Sequence, residues 1–312
     1  MITMHDPIDI TDGLGGARMD TRLLETFAVL ARTGNFTAAA AELHVAQSTV
    51  TAQVKALEKM LGVRLFDRLP TGAVLTSAGA RLLERARAVL DAEARLRYEA
   101  KDASAAEGTV TIGASESLCA YRLPLALAAL GRELPAVQLK MMPVVTPAAA
   151  AEQLTAGRID LALLLEEHVD VPQVEAVSVG DEPLVLLASG THPRLSPGSA
   201  WPLLREEPFF LLEEGCSYSD SLARRLSDEL TAAPRVTRFG SIEAVRACVR
   251  AGLGVALLPR VSAEDDLASG RLLVVRDFPP VPVQLLRHRS RWLPPAAETV
   301  MARLRTLAAD WA

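Results

Sequence analysis

Residues 44–58 read HVAQSTVTAQVKALE. Val50, Val54, Leu57 and, just beyond the stretch, Leu61 recur at i, i+4, i+7 and i+11, the buried stripe of a helix running from about Gln47 to Leu61. Between them stand small hydroxyls and amides, and no formal charge comes before Lys55. An ordinary solvated helix face carries Glu, Lys and Arg instead. A neutral polar row suits a helix laid in a DNA major groove, because base edges are read by hydrogen bonds and charge alone cannot read sequence. Gln bonds adenine through two atoms, Ser and Thr bond several bases, and the Thr methyl touches the thymine methyl. Gln47, Ser48, Thr49, Thr51 and Gln53 supply this set early in the helix, while Lys55 and Arg68 suit phosphates. Taken singly, each hydroxyl is an ordinary surface residue. The flanking elements decide between the two readings.

Before this helix, Leu23, Leu24, Phe27, Leu30 and Ala31 keep helical spacing over residues 20–33, and Gly34-Asn35 breaks the run. Residues 36–43 (FTAAAAEL) make a second, short helix, with His44-Val45 as the turn. Gly62 is placed to end the third helix in the left-handed conformation. Residues 63–76 (VRLFDRLPTGAVLT) read as two short strands around a Pro-Thr-Gly turn. Helix, turn, helix and hairpin together describe a winged helix-turn-helix over residues 19–76. Thr76 is a plausible N-cap for a long helix within 77–107. In it Leu82, Ala86, Val89, Leu96 and Ala100 keep heptad-like spacing, interrupted by Glu93, which favours a homodimer seam over a lone surface helix.

The bulk numbers fit this reading and exclude others. At 312 residues, 50% hydrophobic and 23% charged, the chain is globular and long enough for two or three cores. The net charge of −5 argues against a coat of basic residues, but residues 20–87 hold nine Arg and Lys against six Asp and Glu, a local +3. Cys119, Cys216 and Cys248 are too few and scattered for a disulfide framework or a zinc site. No HExxH, GxSxG, phosphate loop or dinucleotide fingerprint occurs, so no metal, cofactor or catalytic group is implied. Residues 1–18 lack a signal-peptide core and are expected to be a flexible extension, with Met19 as an alternative start. No apolar run reaches membrane-spanning length, so the expected compartment is the cytoplasm with no membrane partner.

From Gly108 strands and helices alternate. Strands are expected at 109–113, 137–142, 159–165, 183–188, 208–212, 235–239, 253–258, 271–276 and 281–287. Helices are expected near 120–133, 147–156, 218–231, 241–251 and 295–309. About 200 residues in this style form two small α/β lobes more readily than one sheet.

The run NFTAAAAELHVAQSTVTAQVKALEKMLGVRLFDR, followed by LTSAG, resembles the LysR-type transcriptional regulators across residues 35–79. Looser phrases of the same family continue to about residue 290, among them AGRIDLALLL, DEPLVLLAS and SIEAVRACVRAGLGVALLP. The resemblance implies Gln47 and Thr51 as recognition-helix residues, Thr37 near a phosphate at the start of the supporting helix, and Arg68 at the wing. It implies an α/β plus all-α protein: winged helix-turn-helix, linker helix, and a two-lobed periplasmic-binding-protein-like effector domain over 108–312. The lobes are expected at about 108–165 with 271–312, and about 166–270, with the chain crossing between them near 165–168 and 266–271. The implied partners are double-stranded promoter DNA, a small-molecule effector, a second copy through the linker helices, a homotetramer beyond that, and RNA polymerase. Three departures stand out: Ala52 where relatives often carry a cation, Ser48 where Pro is common, and Thr71 where Arg is common. Two fewer cations predict a shallower dependence of DNA affinity on salt.

In open sheets, ligands sit beyond the carboxyl ends of strands, near helix N-termini. Those loops carry Ser115, Glu116 and Ser117, then Thr146, then Glu214, Cys216 and Ser217, and finally Ser241, the candidate effector residues. Ser115, Thr146 and Ser241 serve equally well as helix caps. Glu116, Glu213 and Glu214 complicate an anionic ligand, with Arg122 the one cation expected within reach. Cys216 offers an alternative, redox sensing, although acids precede it and no second cysteine is close in sequence. A solute-binding protein or an enzyme would have no use for the N-terminal module.

Overall fold

The computed structural model describes residues 19–69, 72–100, 106–229 and 235–311. The expected extension 1–18 and the Thr71 departure lie outside the described residues. The chain forms two compact units that divide after residue 103.

In the first unit α1 (Thr21–Thr33) starts on Asp20, whose carboxylate accepts from the Arg22 N–H, and ends at Gly34 with φ +63°. Helix α2 (Phe36–Glu42) is capped by Asn35, whose Oδ1 accepts from the N–H groups of Thr37 and Ala38 at 2.8 and 3.1 Å. Helix α3 (Gln47–Leu61) ends at Gly62, φ +68°, as the sequence predicts. Strands β1 (Phe66–Leu69) and β2 (Gly72–Leu75) form an antiparallel wing, and α4 (Ser77–Glu99) starts on Thr76, which accepts from the Gly79 N–H at 2.9 Å. Leu24, Phe27, Leu30, Val50, Val54 and Leu57 are buried together, and Phe27 meets Phe66 edge-to-face at 5.6 Å.

Two close approaches fix the wing. The Ala73 N–H donates to the Gly34 carbonyl at 2.7 Å, and a Cβ on Gly72 would lie 2.3 Å from that oxygen. A Cβ on Gly79 would meet the Leu65 carbonyl at 2.2 Å, so only glycine lets α4 pass there. The heptad-like stripe on α4 divides: Ala86 is buried in this unit's own core and Leu82 packs on it, while Val89 and Leu96 are 45% and 68% exposed.

The second unit runs β3 (Gly108–Ala114), a π-helical turn (Leu118–Arg122), α5 (Leu123–Glu133), β4 (Val137–Pro143), α6 (Pro147–Thr155), β5 (Leu161–Leu165) and β6 (Val174–Ser189). It continues with α7 (Trp201–Leu204), β7 (Phe209–Leu212), α8 (Ser217–Glu229), β8 (Val236–Phe239), α9 (Ile242–Arg250), β9 (Ala256–Pro259), α10 (Glu264–Ala268), β10 (Leu272–His288) and α11 (Pro295–Ala308). Six strands pair in the order β4-β3-β5-β10-β6-β9, and the parallel pair β7-β8 joins them through a bridge between Phe209 and Val255.

The crossings differ from expectation. Segments 271–276 and 281–287 are one strand, β10, whose residues Val283–Arg287 pair with β5 in the first lobe. Its other end pairs with the part of β6 that contacts β9 in the second lobe. The chain therefore passes between lobes inside two long strands, near 180–182 and 279–282, and not at 165–168 and 266–271. Pro279, Pro280 and Pro282 read in sequence as a break. Proline keeps an extended φ but removes ladder donors, so the strand continues through a register shift between Phe278 and Val281.

Candidate functional site

On α3 the stripe Val50, Val54 and Leu57 is fully buried, which turns the opposite face outward. Gln47, Ser48 and Lys55 are exposed, and Thr49 and Thr51 are half-buried beside them. No side chain caps the helix at Ala46, so its positive end faces outward with the same residues. Thr37 is exposed in the first turn of α2, and Arg68 sits in β1 opposite Ala73. The Glu58 carboxylate accepts from the N–H groups of Leu65 and Phe66 at 2.8 and 3.3 Å, tying α3 to the wing.

Gln53 departs from its predicted role. Its carboxamide oxygen accepts from the buried Thr26 hydroxyl at 2.7 Å, which makes it a tie between α3 and α1. The signal was present in the sequence: position 53 follows Val50 by three and precedes Leu57 by four, on the inner face.

In the second unit the chain ends of β3 and β5 face the β7–α8 loop across a cleft. A cavity of about 30 Å³ lies there, lined by Ser115, Glu116 and Ser117 from one lobe, Leu165 and Glu166 at the end of β5, and Glu213, Cys216, Ser217 and Tyr218 from the other. Glu166, Ser217 and Tyr218 also line a larger, open space of about 640 Å³ walled by Leu184, Leu222, Leu257 and Phe278. The structure thus brings together Ser115, Glu116, Ser117, Cys216 and Ser217. The other three candidates do not line the small cavity. Thr146 caps α6, accepting from the Ala149 N–H at 3.1 Å. Glu214 is exposed and lines neither space. Ser241 sits at the N-cap of α9 without a side-chain cap bond, and the Glu116 carboxylate, 3.3 Å from the Ile242 nitrogen, accepts there in its place.

Glu166 and Tyr218 were absent from the sequence-derived set, and Glu213 was read there only as an acid disfavouring an anionic ligand. Glu166 was findable, since it directly follows the apolar run LALLL at a strand's carboxyl end. Tyr218 was not, because an aromatic in the first turn of a helix reads as core, and it is indeed 5% exposed.

The cleft is acidic. Burial pushes the Glu166 carboxyl up to about 7 against a hydrogen bond with Ser217 that favours the ionised form, and Asp220 and Glu167 add smaller repulsions. Burial likewise raises Glu116, with Glu213 and Glu243 adding to it against the Ile242 N–H. Arg122 does not serve the cleft. It grips Glu182 through two bonds of 2.7 and 3.0 Å, and Glu182, 1% exposed, stands where β6 crosses between lobes. The same physics disfavours the redox alternative: burial pushes the Cys216 thiol up to about 11, away from the thiolate that oxidation requires. Cys119, Cys216 and Cys248 are all free thiols.

A winged helix-turn-helix with a neutral reading face, joined to a two-lobed cleft domain, is the architecture of a ligand-responsive transcription regulator. Residues 21–80 match the bacterial regulatory helix-turn-helix protein domain of the lysR family, and residues 103–309 match the LysR substrate binding domain. The chain belongs to the LysR family of bacterial transcriptional regulators, and it is not an enzyme. It is 33% identical over 280 residues to YwqM, an uncharacterised HTH-type transcriptional regulator of Bacillus subtilis (strain 168), covering 88% of this chain and 94% of that protein. A full-length OxyR variant from Pseudomonas aeruginosa superposes with a TM-score of 0.75 at 25% identity, covering 94% of this chain and 97% of that one. Full-length CbnR complexed with its target DNA superposes with a TM-score of 0.59 at 26% identity, covering 93% and 100%. No helix among the described residues is long and apolar enough to cross a membrane.

Proposed function

We propose that α3 enters the major groove of promoter DNA and reads base edges through Gln47, Ser48, Thr49 and Thr51. Thr37, Lys55 and Arg68 meet phosphates. The observation that carries this reading is the outward row of uncharged donors and acceptors on a helix locked from behind by Val50, Val54 and Leu57. The DNA held by CbnR supports it.

The protein works as a cytoplasmic homo-oligomer, a dimer through α4 and a tetramer through its effector domains. Val89 and Leu96 are the apolar residues left on α4 for a second copy, since Ala86 and Leu82 serve their own core. Two copies of α3 then meet a two-fold-related operator. A small molecule in the cleft favours one setting of the lobes and, through it, one setting of the paired DNA units, which alters transcription by RNA polymerase.

A mobility-shift assay with the DNA upstream of the chain's own gene tests the reading. A specific complex at moderate salt, weakened in Gln47→Ala and Thr51→Ala, is expected. Wild-type binding by both variants would sink the base-reading assignment.

A further inference from the structure

Three helix N-termini border the cleft, and at two of them, α6 and α9, the protein itself supplies a cap. Thr146 caps α6. In the loop before α8, the Gly215 N–H donates to Asp220 at 2.8 Å, and Asp220 pairs with Arg238 at 2.8 Å. At α9, Ser241 makes no side-chain cap bond, and Glu116 reaches across from the other lobe to the Ile242 N–H. The place where an anionic ligand would settle on a helix dipole already holds a carboxylate of the chain.

The adjoining cavity of about 30 Å³ is lined by three carboxylates, Glu116, Glu166 and Glu213, and by no Arg, Lys or His. Two hydroxyl groups in the same wall, on Ser115 and on the 5%-exposed Tyr218, are buried without a well-formed hydrogen bond, although the Ser117 hydroxyl and the Cys216 thiol lie beside that of Tyr218. Buried polar atoms in folded proteins are nearly always partnered, so two such hydroxyls in one small polar cavity mark a place for a bound group. The wall offers acceptors in excess and lacks a cationic donor. Arg122 does not fill that role: it is not in the wall, and its Nε and Nη2 are held by Glu182.

We propose that the cleft takes its ligand by a primary ammonium head seated among Glu116, Glu166 and Glu213, with the Ser115 and Tyr218 hydroxyls as further acceptors. This rests on the effector-site reading above and adds the charge class of the ligand. The cavity has the size of one compact –NH3+ group, whose three donors match its acceptors. The body of the molecule extends into the larger space, reached past Glu166, Ser217 and Tyr218, against Leu184, Leu222 and Phe278.

The remaining charges around the site are accounted for. Glu243 is held by Arg246 and by the Tyr121 hydroxyl. Glu167, His168, Arg224 and Arg225 border only the larger space, where Arg225 stacks over Trp201 and Phe278. The Cys119 and Cys216 thiols are raised by burial and stay neutral. Glu116 and Glu166 are themselves held above the usual carboxylate range, so an arriving ammonium ion displaces protons from them. Ammonium binding therefore tightens as pH rises, and anion binding would do the reverse.

Isothermal titration calorimetry on the full chain, with butylamine, putrescine and L-lysine against succinate and benzoate at pH 6.5 and 8.0, tests the proposal. At least one amine binds, releases protons, and binds several-fold tighter at pH 8.0. Glu116→Gln and Glu166→Gln each weaken it about tenfold, and Tyr218→Phe weakens it less. An acid that binds the wild type and gains affinity in Glu116→Gln overturns the ammonium head while leaving the effector cleft in place. Failure of every amine to bind, with the specific operator complex intact, overturns it too. Loss of the operator complex would strike the regulator reading instead, and the calorimeter decides amine binding independently of it.

Discussion

On α3, Gln47 and Ser48 stand exposed on a helix whose back is sealed by Val50, Val54 and Leu57. In the cleft of the second unit, Glu116 and Glu166 are half-buried among other carboxylates, with hydroxyls that lack a well-formed hydrogen bond. Neutral groups facing water cost little to keep available, so the proposed DNA-reading face is complete before DNA arrives. Buried acids resist ionisation and hold protons or a counter-ion. One unit waits in a finished state, the other in a state that a ligand or a proton changes.

The strongest test of this contrast lies behind the cleft. Glu182→Ala leaves Arg122 without its partner in a largely buried site, and urea denaturation of the full chain is expected to show a loss of about 3 kcal/mol. An exposed pair such as Arg95–Glu99 on α4 contributes well under about 1 kcal/mol by the same measurement.

Protons provide the next largest effect. The carboxyl of Glu166 is raised to about 7 in the folded chain, so its contribution to stability is fully present below about 4.5 and is lost as pH rises through 7. After allowance for partial exposure, the loss is about 2 kcal/mol. Thermal unfolding between pH 5 and 8 should show this slope in wild type, and Glu166→Gln should flatten it. An unchanged slope in the variant would place the titrating group elsewhere.

On the DNA side, Gln47→Ala is expected to cost about 1–2 kcal/mol of operator affinity by mobility shift while leaving the melting temperature unchanged. A loss of stability would mean that position 47 belongs to the core and not to the reading face. The smallest expected effect concerns Ala52, exposed on the same face. Ala52→Arg adds one phosphate contact and should steepen the slope of log affinity against log salt by about 0.9. No change in slope would show that Ala52 faces away from the phosphates.

The helix α3 with its end at Gly62, the Thr76 cap of α4, the wing and the alternation of strands and helices beyond Gly108 were legible in the sequence. Each depends on residues within a turn or two of one another: an apolar repeat, a cap, a glycine with positive φ. The inner-face position of Gln53 was legible, but its partner was not: Thr26, 27 residues away, meets it only once α1 packs on α3. The crossings through β6 and β10 were hidden for a similar reason. A proline cluster looks like an ending until the neighbouring strands carry the ladder past it. The cleft was the least legible part. Sequence named Ser115, Glu116 and Ser217, but only the tertiary structure set Glu116 on the N-terminus of α9 and gathered Glu166, Glu213 and Tyr218 around one small cavity. Desolvation and charge repulsion act through space, and the separations that set them arise when the lobes close on one another.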